Sequence, residues 1–231
     1  MILRLTPILL ALAYGLVMYL FSAWRTRREL DARSTELADP GLRRLSDRLA
    51  AALELPRIRV NLYEVDPVNG LAAPDGRIFL TRGFYNRYRT GEVTGEEMMS
   101  VIAHELGHVA LGHTRRRMID FSGQNAVRTV LATVLGRVLP GIGPWLAGAL
   151  TSLVVARISR DDEYEADAYA AALMVKAGFG TGPQKRLLEK LEALTGMAGR
   201  GTPAWLMSHP KTVDRVKAIE GLEARWRDAA R

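Results

Sequence analysis

Residues 104–108 read HELGH, and that spacing constrains the fold more than any other short stretch of the chain. A helix returns to the same face every three or four residues, so His104 and His108 stand one turn apart and can offer imidazole nitrogens to one ion. Glu105 projects beside them. The surrounding sequence supports a helix: TGEE at 94–97 offers a capping box, and the pattern predicts a helix from Thr94 through about Met118. Met98, Met99, Val101, Ile102, Leu106, Val109 and Leu111 make this helix apolar, and two imidazoles buried there without a partner would be costly.

The chain has no cysteine, so any metal must be held by nitrogen and oxygen. Two neutral imidazoles and one carboxylate would fill three tetrahedral positions of a zinc ion and leave the fourth for water. A metzincin-type site would want glycine at 111 and histidine at 114, where the chain has Leu111 and Thr114. His113 is one residue out of register and reads as a supporting or helix-surface histidine. The alternative donor is a second helix carrying DDEYEADAYA at 161–170. Glu163 and Asp167 lie one turn apart there, and Ala166 and Ala170 keep that face thin enough for close helix approach. Glu163 then supplies the third ligand, and Asp167 accepts the other N–H of a ligand histidine. Asp161, Asp162 and Glu165 read as solvated charge. Arg160 is read either as a partner of Asp167 or another site carboxylate, or as a surface arginine.

From Leu5 to Trp24 the chain is uncharged over the ~20 residues that a helix needs to cross a bilayer. Trp24 precedes Arg25, Arg27 and Arg28, which suits an interfacial anchor, and Phe21 and Trp24 fit a signal-peptide cleavage site poorly. The expectation is an uncleaved anchor over 1–28. The excess of positive charge after it predicts a following domain, 29–231, that faces the cytoplasm. A second apolar stretch, Val138–Ala156, is broken near its start by Pro140, Gly141, Gly143 and Pro144. A single crossing there would put Glu163 and HELGH on opposite sides of the membrane. Segment 126–156 is therefore expected to pack on the core, to rest on the bilayer or to gate the cleft.

The pattern from Glu29 to Leu55 is helical, with Asp39 as cap, Pro40 at the first position and Leu42, Leu45, Leu49 and Leu53 on one face. Ile58, Val60 and Leu62 then alternate as in a half-buried strand. A turn at Pro74, Asp75 and Gly76 separates an edge segment from a strand over Arg77–Thr81. Helices are expected over Leu146–Ala177, Pro183–Leu194 and Thr212–Arg227. The fold class is thus α+β, mainly helical, with a small antiparallel sheet of about three strands. Net charge is +7, from 32 basic and 25 acidic residues spread along the chain. No basic face with interleaved aromatics suggests nucleic acid.

HELGHVALGH together with SRDDEYEAD and an N-terminal apolar helix resembles the membrane-associated gluzincin peptidases that include the HtpX-type, OMA-type and CAAX prenyl endopeptidases, peptidase family M48. The resemblance runs from about Leu42 to Leu222. It implies a zincin-like domain, one zinc ion with Glu163 as its carboxylate, and a zinc-dependent endopeptidase acting on flexible polypeptides at the membrane. It matches His113 to a histidine common in the OMA-type branch. VNGLAAPDGRIFLTRGF resembles a family segment bordering the cleft, with Gly70 and Leu71 at the usual alanine and phenylalanine and Asp75 where glycine is common. Asn69, Leu71, Ala72 and Ala73 are then the expected substrate edge. SHPKTVDR resembles a small-residue, His, Pro motif, and His209 is read either as an oxyanion donor or as a helix-entry residue with one structural hydrogen bond. Glu105 would serve as general base. The alternative function is a catalytically silent peptide-binding or membrane assembly factor that keeps the zinc site.

Overall fold

The structure, a computed structural model, describes residues 2–73, 75–113, 116, 132, 135–136, 139, 141–196, 212–229 and 231. It divides into two compact units, Met1–Ala32 with Gly112–Ser159, and Arg33–Leu111 with Arg160–Arg231.

In the first unit the chain opens with one long helix, α1, over Ile2–Arg33. Its described side chains include exposed Tyr14, Leu16, Val17, Leu20, Phe21 and Trp24. Among the described residues no helix is long and apolar enough to cross a membrane. The side chains of residues 2–12 lie outside the described ones, and Ala13–Trp24 is shorter than the ~20 residues a crossing requires. The expected transmembrane helix is therefore not met among the described residues. Of segment 126–156, residues 126–131, 133–134, 137–138 and 140 also lie outside them.

The second unit holds the sheet and the core. Backbone geometry assigns β1 Ser34–Glu36, α2 Pro40–Ala52, β2 Val60–Tyr63, β3 Gly70–Ala72, β4 Ile78–Thr81, α3 Arg82–Arg89 and α4 Gly95–Ala110. After these come α5 Gly143–Lys176, whose first half belongs to the other unit, α6 Gly182–Gly196 and α7 Thr212–Ala229. Asp39 caps α2 as its sequence suggests, its carboxylate accepting from the amides of Gly41 at 2.8 Å and Leu42 at 3.0 Å. Leu42 and Leu49 are fully buried beside Met98, Met99 and Ile102 of α4.

The sheet corrects two expectations. It has four strands in the order β1-β2-β4-β3 and is mixed, not antiparallel: β1 pairs antiparallel with β2, β2 parallel with β4, and β3 antiparallel with β4. The cause is the path of the chain. After β2 it crosses to the far edge, forms β3, and turns back through Asp75 and Gly76 so that β4 fills the gap and runs alongside β2. β1 was illegible because Ser34, Thr35 and Glu36 carry no apolar alternation, and its pairing interrupts the helix expected from Glu29. Helix α4 likewise stops at Ala110, well short of Met118, because Gly112 takes the left-handed turn at φ 72° that ends a helix.

Candidate metal centre

Helix α4 is fixed at its start by the capping box: Thr94 Oγ1 accepts from the Glu97 amide at 3.2 Å, and the Glu97 carboxylate accepts from the Thr94 amide at 2.8 Å. Its buried side packs on α2, β3 and α6. His104, Glu105 and His108 follow on this helix and are 3–4 % exposed. Opposite them lies α5, and the two helices meet where neither has bulk: a Cβ on Gly107 would lie 3.1 Å from both the Cα and the carbonyl oxygen of Ala166. That near contact brings Glu163, one turn before Ala166 and fully buried, to the two imidazoles.

His104 Nε2 lies 3.3 Å from Glu163 Oε2, His108 Nε2 lies 3.4 Å from Glu163 Oε1, and the two Nε2 atoms are 3.1 Å apart. The imidazole planes are inclined at 89°. Tetrahedral zinc with bonds of about 2.0–2.1 Å needs ligand atoms about 3.3–3.4 Å apart, and the two imidazole nitrogens and the Glu163 carboxylate, one oxygen facing each histidine, are grouped at that spacing. The polarity of the donors agrees. His104 Nδ1 is 3.0 Å from Asp167 Oδ1 and donates to it, which leaves the Nε2 lone pair turned toward the cluster. Burial disfavours charge on His104, yet hydrogen bonds to Asp167 and Glu163 outweigh it and raise its pKa to about 9.

Asp167 is itself held. Arg215 Nε donates to Asp167 Oδ2 at 2.6 Å and Arg215 Nη2 donates to Oδ1 at 2.7 Å. Burial alone would raise the carboxyl pKa, but the guanidinium and the bonds to it drive it far below the ordinary range. Gln184 Nε2 donates to the Asp167 carbonyl at 3.2 Å from the next helix. Arg160, by contrast, is exposed, and the guanidinium on Asp167 is that of Arg215. The sequence held a signal for it: Thr212, Arg215 and Ile219 recur at helical spacing and are all buried, and a cation on a buried face demands a partner.

Asn69, Leu71, Ala72 and Ala73 lie along or beside β3, which is an edge of the sheet. A Cβ on Gly70 would lie 2.5 Å from Val101 Cγ1 and 3.4 Å from Glu105 Oε1, so the bare backbone of β3 runs beside the Glu105 carboxylate. Asp161 and Glu165 are exposed as expected, whereas Asp162 is buried and is not part of a solvated face. His113 is buried and belongs to the unit of Gly112–Ser159. His209 lies outside the described residues.

Comparison with known proteins agrees with this arrangement. Metalloprotease YcaL of Escherichia coli (strain K12) is 28% identical over 162 residues, which are 70% of this chain and 61% of YcaL. Metalloprotease LoiP of the same organism is 31% identical over 162 residues, again 70% of this chain and 61% of the relative. The chain thus spans about three fifths of the length of these two relatives. A protease HtpX homolog of Gemmatimonas aurantiaca is 26% identical over an alignment of 262 positions, gaps included, covering 94% of this chain and 88% of that protein. The sequence profile of Peptidase family M48 matches residues 36–223, a span that takes in the sheet, HELGH, Glu163 and Arg215, and the chain belongs to that family.

Proposed function

We propose that the chain is a zinc-dependent endopeptidase that cuts flexible or unfolded polypeptide segments. The observation that carries this reading is the convergence of His104 Nε2, His108 Nε2 and the two oxygens of the Glu163 carboxylate, one facing each imidazole, at 3.1–3.4 Å, with Glu105 buried on the same helix. His104, His108 and Glu163 would hold one zinc ion. Zinc, when bound, supplies Lewis acidity toward the scissile carbonyl and brings the pKa of the attacking water to about 7. Glu105 takes a proton from that water as it attacks and returns it to the leaving amine. Asp167 holds His104 in the tautomer that turns Nε2 inward. His209 is assigned the role of donor to the oxyanion of the tetrahedral intermediate.

An extended substrate adds along the outer edge of β3 at Leu71 and Ala72, flanked by Asn69, whose main chain bonds Thr81, and Ala73, whose amide bonds Arg77, and main-chain hydrogen bonds there tolerate many side chains. Broad sequence preference follows. The exposed apolar residues of α1 from Tyr14 to Trp24, and the arginines after them, support a single N-terminal membrane anchor with the peptidase domain on the cytoplasmic side. Extraction of the full chain from membranes by alkaline carbonate would reject the anchor, and a C-terminal reporter active only in the exported compartment would reject the orientation.

Cleavage of an unstructured protein by the full chain, blocked by a chelator and by Glu105→Gln with zinc content retained, is the expected result. Zinc-loaded protein without cleavage of any of several unfolded substrates would overturn the endopeptidase reading.

A further inference from the structure

Arg215 comes from the last helix of the chain, far in sequence from HELGH, yet it is 1 % exposed and sits against the metal-binding cluster. Helix α7 is seated by Thr212 and Ile219 on the same face and packs on α6. That seating delivers a planar fork to Asp167 at 2.6 and 2.7 Å and leaves Nη2 3.5 Å from His104 Nδ1. A bidentate pair fixes the carboxylate in its plane as well as its position, which a point charge does not do. The Asp167 oxygen that receives Nη2 is also the oxygen that receives His104. Its direction therefore sets the plane of the imidazole and the aim of Nε2.

Charge leads to the same residue. Ionised Glu105, Glu163 and Asp167 carry three negative charges in a buried volume, and a divalent metal balances two of them. Arg215 supplies the third, and its charge also acts on Glu163 and Glu105.

We propose that Arg215 is a positioning residue of the metal centre: through its fork on Asp167 it orients His104 and completes the charge balance, and so sets how tightly the site holds zinc. The inference rests on the zinc reading given above. It makes the seating of α7 a condition for a finished metal site.

The test uses the full chain at fixed pH, with zinc affinity read by competition against a chromophoric chelator and ligand geometry by the visible spectrum of the cobalt-substituted protein. Arg215→Met is expected to weaken zinc binding about 10–100-fold and to change the cobalt spectrum. Arg215→Lys, which keeps charge without the fork, recovers only part of the affinity. In an Asp167→Asn background the Arg215→Met change adds less than about threefold, because no carboxylate is left to be held. Folded Arg215→Met with parental affinity and spectrum overturns the proposal, and so does a loss that adds in full to that of Asp167→Asn. Where Arg215→Met does not fold, the double variant, which buries no unpaired charge, is compared with Asp167→Asn alone: a further loss of affinity under about threefold supports the proposal, and one of about tenfold or more overturns it. Failure of the parent chain to bind zinc, or parental affinity in His104→Ala, strikes the zinc reading itself.

Discussion

Helix α4 has buried carboxylates at both of its ends and satisfies them in opposite ways. At the N-terminal end Glu97 is fully buried, but its partners are local or in reach of water: the Thr94 amide, Lys190 Nζ at 2.8 Å and Arg186 Nε at 3.7 Å, with the two basic side chains 39% and 53% exposed. At the C-terminal end the carboxylates of Glu163 and Asp167 meet His104, His108 and Arg215, all nearly sealed from solvent. The first arrangement fastens a helix. The second concentrates desolvated charge that is stable only when every member is present, a condition suited to holding a cation and a reactive carboxylate.

The sharpest way to break this contrast is Glu105→Gln, which changes neither the ligands nor the volume of the site. It is expected to lower kcat about 10²–10⁴-fold with unchanged zinc content, measured by peptide hydrolysis and metal analysis. Retained turnover would mean that Glu105 is not the base and that the sealed end of α4 serves the reaction without it. The next effect compares the two ends through stability. Asp167→Ala strands the Arg215 guanidinium in the interior and is expected to cost about 3–5 kcal/mol in urea unfolding. Glu97→Ala strands nothing, because Lys190 and Arg186 turn to water, and loses chiefly the capping contact, about 0.5–2 kcal/mol. Equal losses at the two sites would remove the distinction between fastening and sealed charge.

The same contrast explains what the sequence made legible. The start of α4 is written in four adjacent residues, Thr94 to Glu97, and was read correctly from them. HELGH and the Glu163–Asp167 pair were legible because one-turn spacing and the need for a third donor are local chemistry. Arg215 was missed because its partner lies 48 positions away, and only its place on the buried face with Thr212 and Ile219 betrays it. The sheet failed for a related reason. The β3–β4 turn is local, but the parallel pairing of β2 with β4 is decided by where the chain crosses, which no residue pattern records. β1 has no pattern at all and exists because β2 presents an edge to Ser34–Glu36.

Packing at the two ends of α4 gives the finest test. Gly107 faces backbone: a methyl there would press on the Cα and carbonyl oxygen of Ala166 at 3.1 Å, and α5 would have to move away, taking Glu163 with it. Gly107→Ala is therefore expected to destabilise the fold by about 1–3 kcal/mol despite the better helix propensity of alanine, and to weaken zinc binding at the same time. Gly95 faces a side chain instead. Its added methyl would meet Leu45 Cδ1 at 2.6 Å, the far end of a half-buried leucine that can swing aside. The propensity gain then offsets the repacking, and Gly95→Ala should change stability by less than about 1 kcal/mol, with zinc affinity untouched. A loss of zinc affinity in Gly95→Ala would show that strain travels the length of α4, and that its two ends do not act independently.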